Sequence, residues 1–153
     1  MTLIPLAVSS ASADPVGPIP ERPRYVYSIK VTSVHNGAVL YNKQLASCSA
    51  GVGGTCSISK SFSVQRTIQL SLGVTRGFVA GQIGFSKATT QTVTAQCNSK
   101  PFTKRGQVYR AYPQGIKKRY NIIRKTYVKG KLTKTTTSAG VAFNPQGVSC
   151  SLS

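Results

Sequence analysis

The sequence predicts a single all-β domain of antiparallel strands, similar to a β-sandwich. Apolar and polar residues alternate from 58 to 74, which is the period of a pleated strand. Turn signals rich in Gly, Pro and Asn separate about eight or nine short runs of β-branched and aromatic residues. No segment has a convincing helical period or capping box.

The chain of 153 residues divides into three predicted parts. Residues 1–13 end in the small-residue pattern that signal peptidase cleaves, so we expect the remnant of a secretory signal whose true start lies upstream. Residues 14–24 are rich in proline and predict an extended arm. Residues 25–153 form the predicted β domain. An ordinary ordered N-terminus and a merely flexible leader are the alternatives for the first two parts.

The arm is a candidate partner-binding segment. It places one apolar residue among prolines and adds two arginines, as in a peptide that docks in a partner's groove. Its members are Pro18, Ile19, Pro20, Arg22, Pro23 and Arg24. If the groove is acidic, each arginine makes a charge-assisted contact.

The domain begins with a predicted hairpin. Asn36 and Gly37 supply the positive φ angles of a type I′ turn between strands at 25–34 and 39–46. His35 sits beside this turn and is interpreted as a solvated loop residue.

A second hairpin is predicted over residues 57–97. The strand at 58–74 turns at 77–81 and pairs with a more polar strand at 83–97. Its Ser-rich and Thr-rich face resembles the inserting hairpins of aerolysin-like pore-forming toxins, which is one alternative function. Packing in a protein core is the ordinary explanation, and Lys87, Thr89 and Gln91 favour it because they break the apolar phase.

The C-terminal third predicts further strands and turns. In order they are a loop at 98–105, a strand at 107–112, a turn at 113–115, a hairpin of 116–128 with 132–143 around Lys129 and Gly130, a turn at 144–147 and a last strand at 148–150.

Four cysteines fit an exported protein with two disulfides. Cys48 and Cys56 bracket a Gly-rich loop that can bring its ends together, which leaves Cys97 and Cys150 as the second pair. The sequence does not fix this connectivity. Paired close spacings and neighbouring histidines are missing, so no metal and no other cofactor is predicted.

The charge predicts an anionic partner. The chain has 20 Lys and Arg against 2 Asp and Glu, a formal net charge of +18, and its association with anions should weaken as salt rises. The candidate basic surface comprises Lys117, Lys118, Arg119, Arg124, Lys125 and Lys129. Anionic cell-surface polymers or an acidic protein fit this charge, and nucleic acid is disfavoured because none of its common recognition motifs occurs.

The acid-base inventory argues against an enzyme. Catalysis by proton transfer draws mostly on His, Asp and Glu, and the chain holds only His35, Asp14 and Glu21. Both carboxylates precede the predicted domain, so no catalytic residue is proposed.

The CSAGVGGTC loop at 48–56, the KRGQVYRAYPQG stretch at 104–115 and the terminal VSC at 148–150 resemble small secreted proteins of streptomycetes and their relatives. Within that group the chain resembles the adaptor subunit of umbrella-shaped antibacterial toxin particles. The resemblance implies a β-rich adaptor that joins a large polymorphic toxin to lectin subunits. It also implies that the arm docks in a cleft of the lectin-bearing subunit, which makes Arg22 and Arg24 the first residues to test.

Overall fold

The computed structural model describes residues 22–153, and the predicted signal remnant and most of the arm lie outside this range. The described residues form seven strands and one helix. They are β1 (Arg24–Val39), β2 (Ala46–Cys48), β3 (Ser57–Gln65), β4 (Thr67–Ile68), α1 (Arg76–Ile83), β5 (Thr90–Asn98), β6 (Tyr109–Val128) and β7 (Lys131–Leu152). The predicted antiparallel all-β class is confirmed, with fewer and longer strands than expected.

The hairpin of β6 and β7 is the centre of the fold. Its strands pair from Tyr109 opposite Leu152 to Val128 opposite Lys131. Lys129 and Gly130 close it with φ angles of 52° and 75°, so this predicted hairpin is confirmed. β1 and β2 pair with the outer edge of β6, and β4 pairs with β7. β3 and β5 form a separate antiparallel ribbon.

The predicted hairpin around Asn36 and Gly37 is wrong. β1 continues through both residues and pairs with β6 from Arg24 to Val39. Gly37 does have a positive φ of 72°, but it lies where the register shifts between His35 and Ala38. The long β6 strand provides residues to pair with β1 both before and after Gly37. The chain therefore accommodates the positive φ as a β-bulge and does not reverse direction.

Two further predicted turns, at 113–115 and 144–147, are also wrong. Both lie inside strands and face each other, with Gly115 opposite Pro145. The register shifts between Gln114 and Gly115, so turn-forming residues here build an irregularity in the central hairpin. Gly is required at 115 because a Cβ there would overlap the backbone carbonyl of Asn144.

The long hairpin at 57–97 exists in a shorter form. The predicted strand at 58–74 is interrupted at Arg66, and its partner is β5 rather than the whole of 83–97. The predicted turn at 77–81 is wrong because it lies inside α1. Thr75 caps this helix by accepting a hydrogen bond from the Phe78 amide at 3.2 Å. Val79, Ala80 and Ile83 bury its inner side, which stabilises a helix that contains two glycines.

The central hairpin carries two hydrophobic cores. In β6, odd-numbered residues are buried from Tyr109 to Gly115, whereas Tyr120 and Ile122 are buried further along. Alternate residues point to opposite faces, so each half of the hairpin buries a different face. The first core includes Ile58, Ala95, Phe102, Tyr109 and Ala111. The second includes Ile68, Val79, Ala80, Ile83, Phe85, Tyr120, Ile122 and Ala142.

Both predicted disulfides are confirmed. Cys48 bonds to Cys56 across 8 residues of sequence, and Cys97 bonds to Cys150 across 53. All four cysteines pack against the core formed with the β3 and β5 ribbon. The disulfides therefore clamp one end of the hairpin, and the Lys129 turn forms the other.

Candidate binding surfaces

Lys and Arg supply the charged side chains of the described residues, which contain no Asp or Glu. All 20 Lys and Arg residues fall within 22–153, whereas Asp14 and Glu21, the two acidic residues, fall outside. No pair of oppositely charged side chains can therefore form among the described residues. Their cations contact neutral oxygens, aromatic rings or solvent, which leaves the charge available to an anionic partner.

One cation is used inside the fold. Arg66 is only 4% exposed. Its guanidinium donates to Asn144 Oδ1 at 2.7 Å, the Ala88 carbonyl at 2.7 Å and Gln91 Oε1 at 2.8 Å. These bonds join β7 to β5 and to the segment before it, so Arg66 has a structural role. Sequence reasoning missed it, although a signal was present: Arg66 lies in the apolar phase of the alternating stretch, between Val64 and Ile68.

The arm joins the body at the turn end of the central hairpin. Arg22 and Pro23 are exposed and precede β1, and Arg24 is the first residue of that strand. Arg24 lies opposite Tyr127, with its guanidinium carbon 5.5 Å from the ring centroid. This cation-π contact anchors the base of the arm. Pro18, Ile19 and Pro20, the other predicted arm contacts, lie outside the described residues.

The candidate basic surface divides between two faces of β6. Lys117, Arg119 and Lys125 alternate along the strand on the face opposite the buried Tyr120 and Ile122. Arg119 and Lys125 are exposed, and Lys117 is half-buried. Lys129 is exposed in the turn.

Lys118 and Arg124 lie on the core side of β6. Lys118 Nζ donates to the Ile83 carbonyl at 2.6 Å and lies 5.0 Å from the Phe85 ring centroid. Arg124 Nη1 donates to the Leu72 carbonyl at 3.4 Å. Because a cation at a helix C-terminus is favourable, Lys118 stabilises the end of α1. These two residues hold the α1 region on the sheet.

The remaining face of this half of the sheet is uncovered among the described residues. We call it the open face and define it by twelve residues that share one side of three paired strands. They are Arg24, Val26, Ser28 and Lys30 of β1, Arg119, Asn121, Ile123, Lys125 and Tyr127 of β6, and Thr135, Thr137 and Ala139 of β7. Nine are exposed and three are half-buried, so the face is open to solvent.

A cavity of about 340 Å³ adjoins the open face and contains the single histidine. His35, Tyr41 and Lys117 supply its functional side chains. No carboxylate lines it, and the described part of the chain has no group of three His, Cys, Asp or Glu residues placed to hold a metal. The cavity offers cationic and aromatic contacts rather than a pair of groups for proton transfer.

Tyr120 is a buried polar residue of β6. It is 1% exposed, and its hydroxyl donates to the Gln69 carbonyl at 2.5 Å. Burial raises the pKa of Tyr120, so the phenol keeps its proton and remains a hydrogen-bond donor. Its ring packs on Gly140, where a Cβ would come within 2.5 Å of Cε2.

No protein-family model matches the sequence, and a search of curated proteins finds no relative. Within residues 22–153, no helix is long and apolar enough to cross a membrane.

Proposed function

We propose that this protein is a secreted, non-enzymatic adaptor that joins two other secreted proteins. By the sequence resemblance, these partners are a large toxin chain and a lectin-bearing chain of an extracellular antibacterial particle. The observation that carries the proposal is the separation of two distinct ends along one long hairpin.

One end bears the arm and the other bears the disulfides. Arg24 lies opposite Tyr127 near the turn, whereas Cys48 and Cys150 lie opposite Tyr109 and Ala111 at the far end of β6. From Tyr109 to Val128 the strand is roughly 60 Å long at about 3.3 Å per residue. This separation supports two distinct binding sites, one at each end.

The two ends differ in the type of contact that they offer. The arm supplies arginines and prolines for a groove. The disulfide half exposes Tyr41 and Val52, which are 70% and 62% accessible. Tyr41 packs edge-on against Tyr112 with ring centroids 5.2 Å apart. Exposed aromatic residues held in place by neighbours are typical anchors of protein interfaces.

Secretion and the lack of catalysis are part of the same proposal. Two disulfides are typical of proteins that fold in an oxidising compartment. Residues 22–153 hold no Asp or Glu, the commonest catalytic acids and bases beside His. An adaptor requires neither group.

A pore-forming function receives no comparable support. β3 and β5 pair over only nine residues each, and the segment between them contains α1, which packs into the second core. Inserting the 57–97 segment as one long hairpin would expose Val79 and Ile83, which are now buried.

Affinity purification of the tagged full chain from culture supernatant of the producing strain, followed by mass spectrometry, tests the adaptor. We expect a very large toxin chain and a lectin-bearing chain in the same eluate. Recovery of the chain alone under gentle, low-salt conditions contradicts the proposal. Leakage of dye from liposomes treated with the purified chain would instead support a pore former.

A further inference from the structure

The open face has a cation pattern of which the adaptor proposal uses only Arg24, at the base of the arm. Arg24 lies diagonally across from Lys125, and Lys30 lies diagonally across from Arg119. Diagonal neighbours on a sheet are about 7 to 8 Å apart, so the face holds two cation pairs. No acidic side chain exists within 22–153 to neutralise them.

Hydrogen-bond donors fill the space between these cation pairs. Ser28, Asn121, Thr135 and Thr137 lie on the same face, on all three strands. Arg, Lys, Ser, Thr and Asn are the side chains that proteins use to bind phosphate oxygens. Lys117 lies two residues before Arg119 on the same side of β6. With Lys117 included, the cations of β6 span eight residue steps to Lys125, or about 27 Å. The cations therefore form an extended row that matches a polymer with repeated anionic groups.

We propose that the open face binds a flexible polymer of phosphodiesters that carries no bases, such as a polyol-phosphate chain. This binding goes beyond the adaptor function and requires only the folded body. A polymer of repeated phosphates matches both the spread of cations and the interleaved hydroxyl and amide groups.

The face is a poor fit for the other anionic macromolecules. Single-stranded nucleic acid binds through aromatic rings on which bases stack, and the one aromatic ring here, Tyr127, already has the Arg24 guanidinium over it. Protein interfaces centre on large apolar anchors in pockets, whereas Val26 and Ile123, the larger apolar residues of this face, lie directly opposite polar residues of the neighbouring strands. A second copy of the chain is disfavoured by like charge, since each copy carries +18.

The test measures binding of a poly(glycerol phosphate) oligomer of defined length to the full chain by calorimetry at several salt concentrations. One variant combines Lys30→Gln, Arg119→Gln and Lys125→Gln on the open face. The control combines Lys43→Gln, Lys87→Gln and Arg105→Gln, three exposed cations elsewhere. Both variants lose the same charge, so only the location differs.

We expect the open-face variant to bind at least tenfold more weakly and the control to change less than twofold. The slope of log affinity against log salt should fall by about 2 in the open-face variant, at about 0.7 per phosphate contact. Equal losses of affinity in the two variants would overturn the proposal, because they would mean that the oligomer is attracted by the net charge of the protein and not by the open face. No binding of the oligomer by the unmodified chain at low salt would overturn it as well.

Two competitors separate the alternatives. An oligothymidylate with the same number of phosphates should bind no more tightly than poly(glycerol phosphate), and polyglutamate of equal charge should bind more weakly. Tenfold tighter binding of oligothymidylate would assign the face to nucleic acid and contradict the proposal. Tighter binding of polyglutamate would assign it to an acidic protein and contradict it equally.

Discussion

Arg66 Nε donates a hydrogen bond to Oδ1 of Asn144 at 2.7 Å, across 78 residues of sequence. The bond joins the link between β3 and β4 to the irregular part of β7, where β6 and β7 shift register. A buried guanidinium without a carboxylate is costly unless it is well hydrogen-bonded. Here each of its three nitrogens donates to a neutral oxygen, and the acceptors come from three segments, so Arg66 fixes how the ribbon meets the hairpin.

Arg66→Met should lower the free energy of unfolding by about 2 to 4 kcal/mol, because hydrogen bonds to a charged group are lost and their buried acceptors stay unpaired. Arg66→Lys keeps the charge but not the forked geometry of the guanidinium, so its free energy of unfolding should lie between those of the parent and Arg66→Met. Urea denaturation measures both. Arg105→Met at an exposed site is the control, and a loss in Arg66→Met no larger than in this control would contradict the structural role.

Gly115→Ala should destabilise the fold by about 1 to 3 kcal/mol, because the added Cβ overlaps Asn144 backbone that cannot move freely. Gly81→Ala is the matched control, since it lies in α1 with no atom near its Cβ position. This control should stabilise the protein by about 0.4 to 1 kcal/mol, because alanine reduces the entropy of the unfolded chain. Melting temperatures that shift in the same direction in both variants would contradict the close approach of Gly115 to the Asn144 backbone.

The two disulfides should contribute unequally to stability. In the loop-entropy model, the 53-residue separation of Cys97 and Cys150 corresponds to about 4 kcal/mol, and the 8-residue separation of Cys48 and Cys56 to about 2.5 kcal/mol. Paired Cys→Ser variants of each bridge, unfolded by guanidinium, test the order. A larger loss from the Cys48 and Cys56 variant would contradict it.

Tyr120→Phe should cost about 1 kcal/mol near neutral pH by removing the hydrogen bond to the Gln69 carbonyl. Since burial raises the pKa of Tyr120 above its ordinary value of 10.0, the folded state keeps the proton at a pH where the unfolded state loses it. Its stabilising contribution is therefore complete below pH 10 and declines as pH rises further. Urea denaturation from about pH 7 to 11 should show that the parent's free energy of unfolding exceeds that of Tyr120→Phe by less and less above about pH 10. A difference that grows above about pH 10 would contradict this sign.

The sequence predicts three local features of this fold correctly. The Lys129 and Gly130 turn, the Cys48 and Cys56 loop and the alternation of β3 each depend on residues close together in the chain. The shared side of Lys117, Arg119 and Lys125 likewise follows from alternation along one strand.

Features that depend on distant partners were not predictable in this way. Gly37 and Gly115 have the chemistry of turn residues, but long neighbouring strands allow the chain to use them as irregularities within strands. α1 contains two glycines and forms because the second core buries Val79 and Ile83. The roles of Arg66, Lys118 and Arg124 depend on carbonyls supplied by other segments. Only the folded chain therefore distinguishes these three structural cations from the surface cations.

The adaptor proposal also predicts which contacts can be removed separately. A deletion of residues 14–23 removes most of the arm but keeps Arg24, which belongs to β1 and stacks on Tyr127. A second variant, Tyr41→Glu with Val52→Glu, alters exposed residues of the disulfide half. Both changes leave the two cores intact, so the melting temperature of each variant should stay within a few degrees of the parent.

The most direct test is quantitative mass spectrometry of the partners that each of these two variants retains from culture supernatant. We predict that the arm deletion loses the lectin-bearing chain and keeps the large toxin chain, and that the double glutamate variant does the reverse. Loss of both partners in each variant, or of neither, with the fold intact would contradict an adaptor that binds one partner at each end.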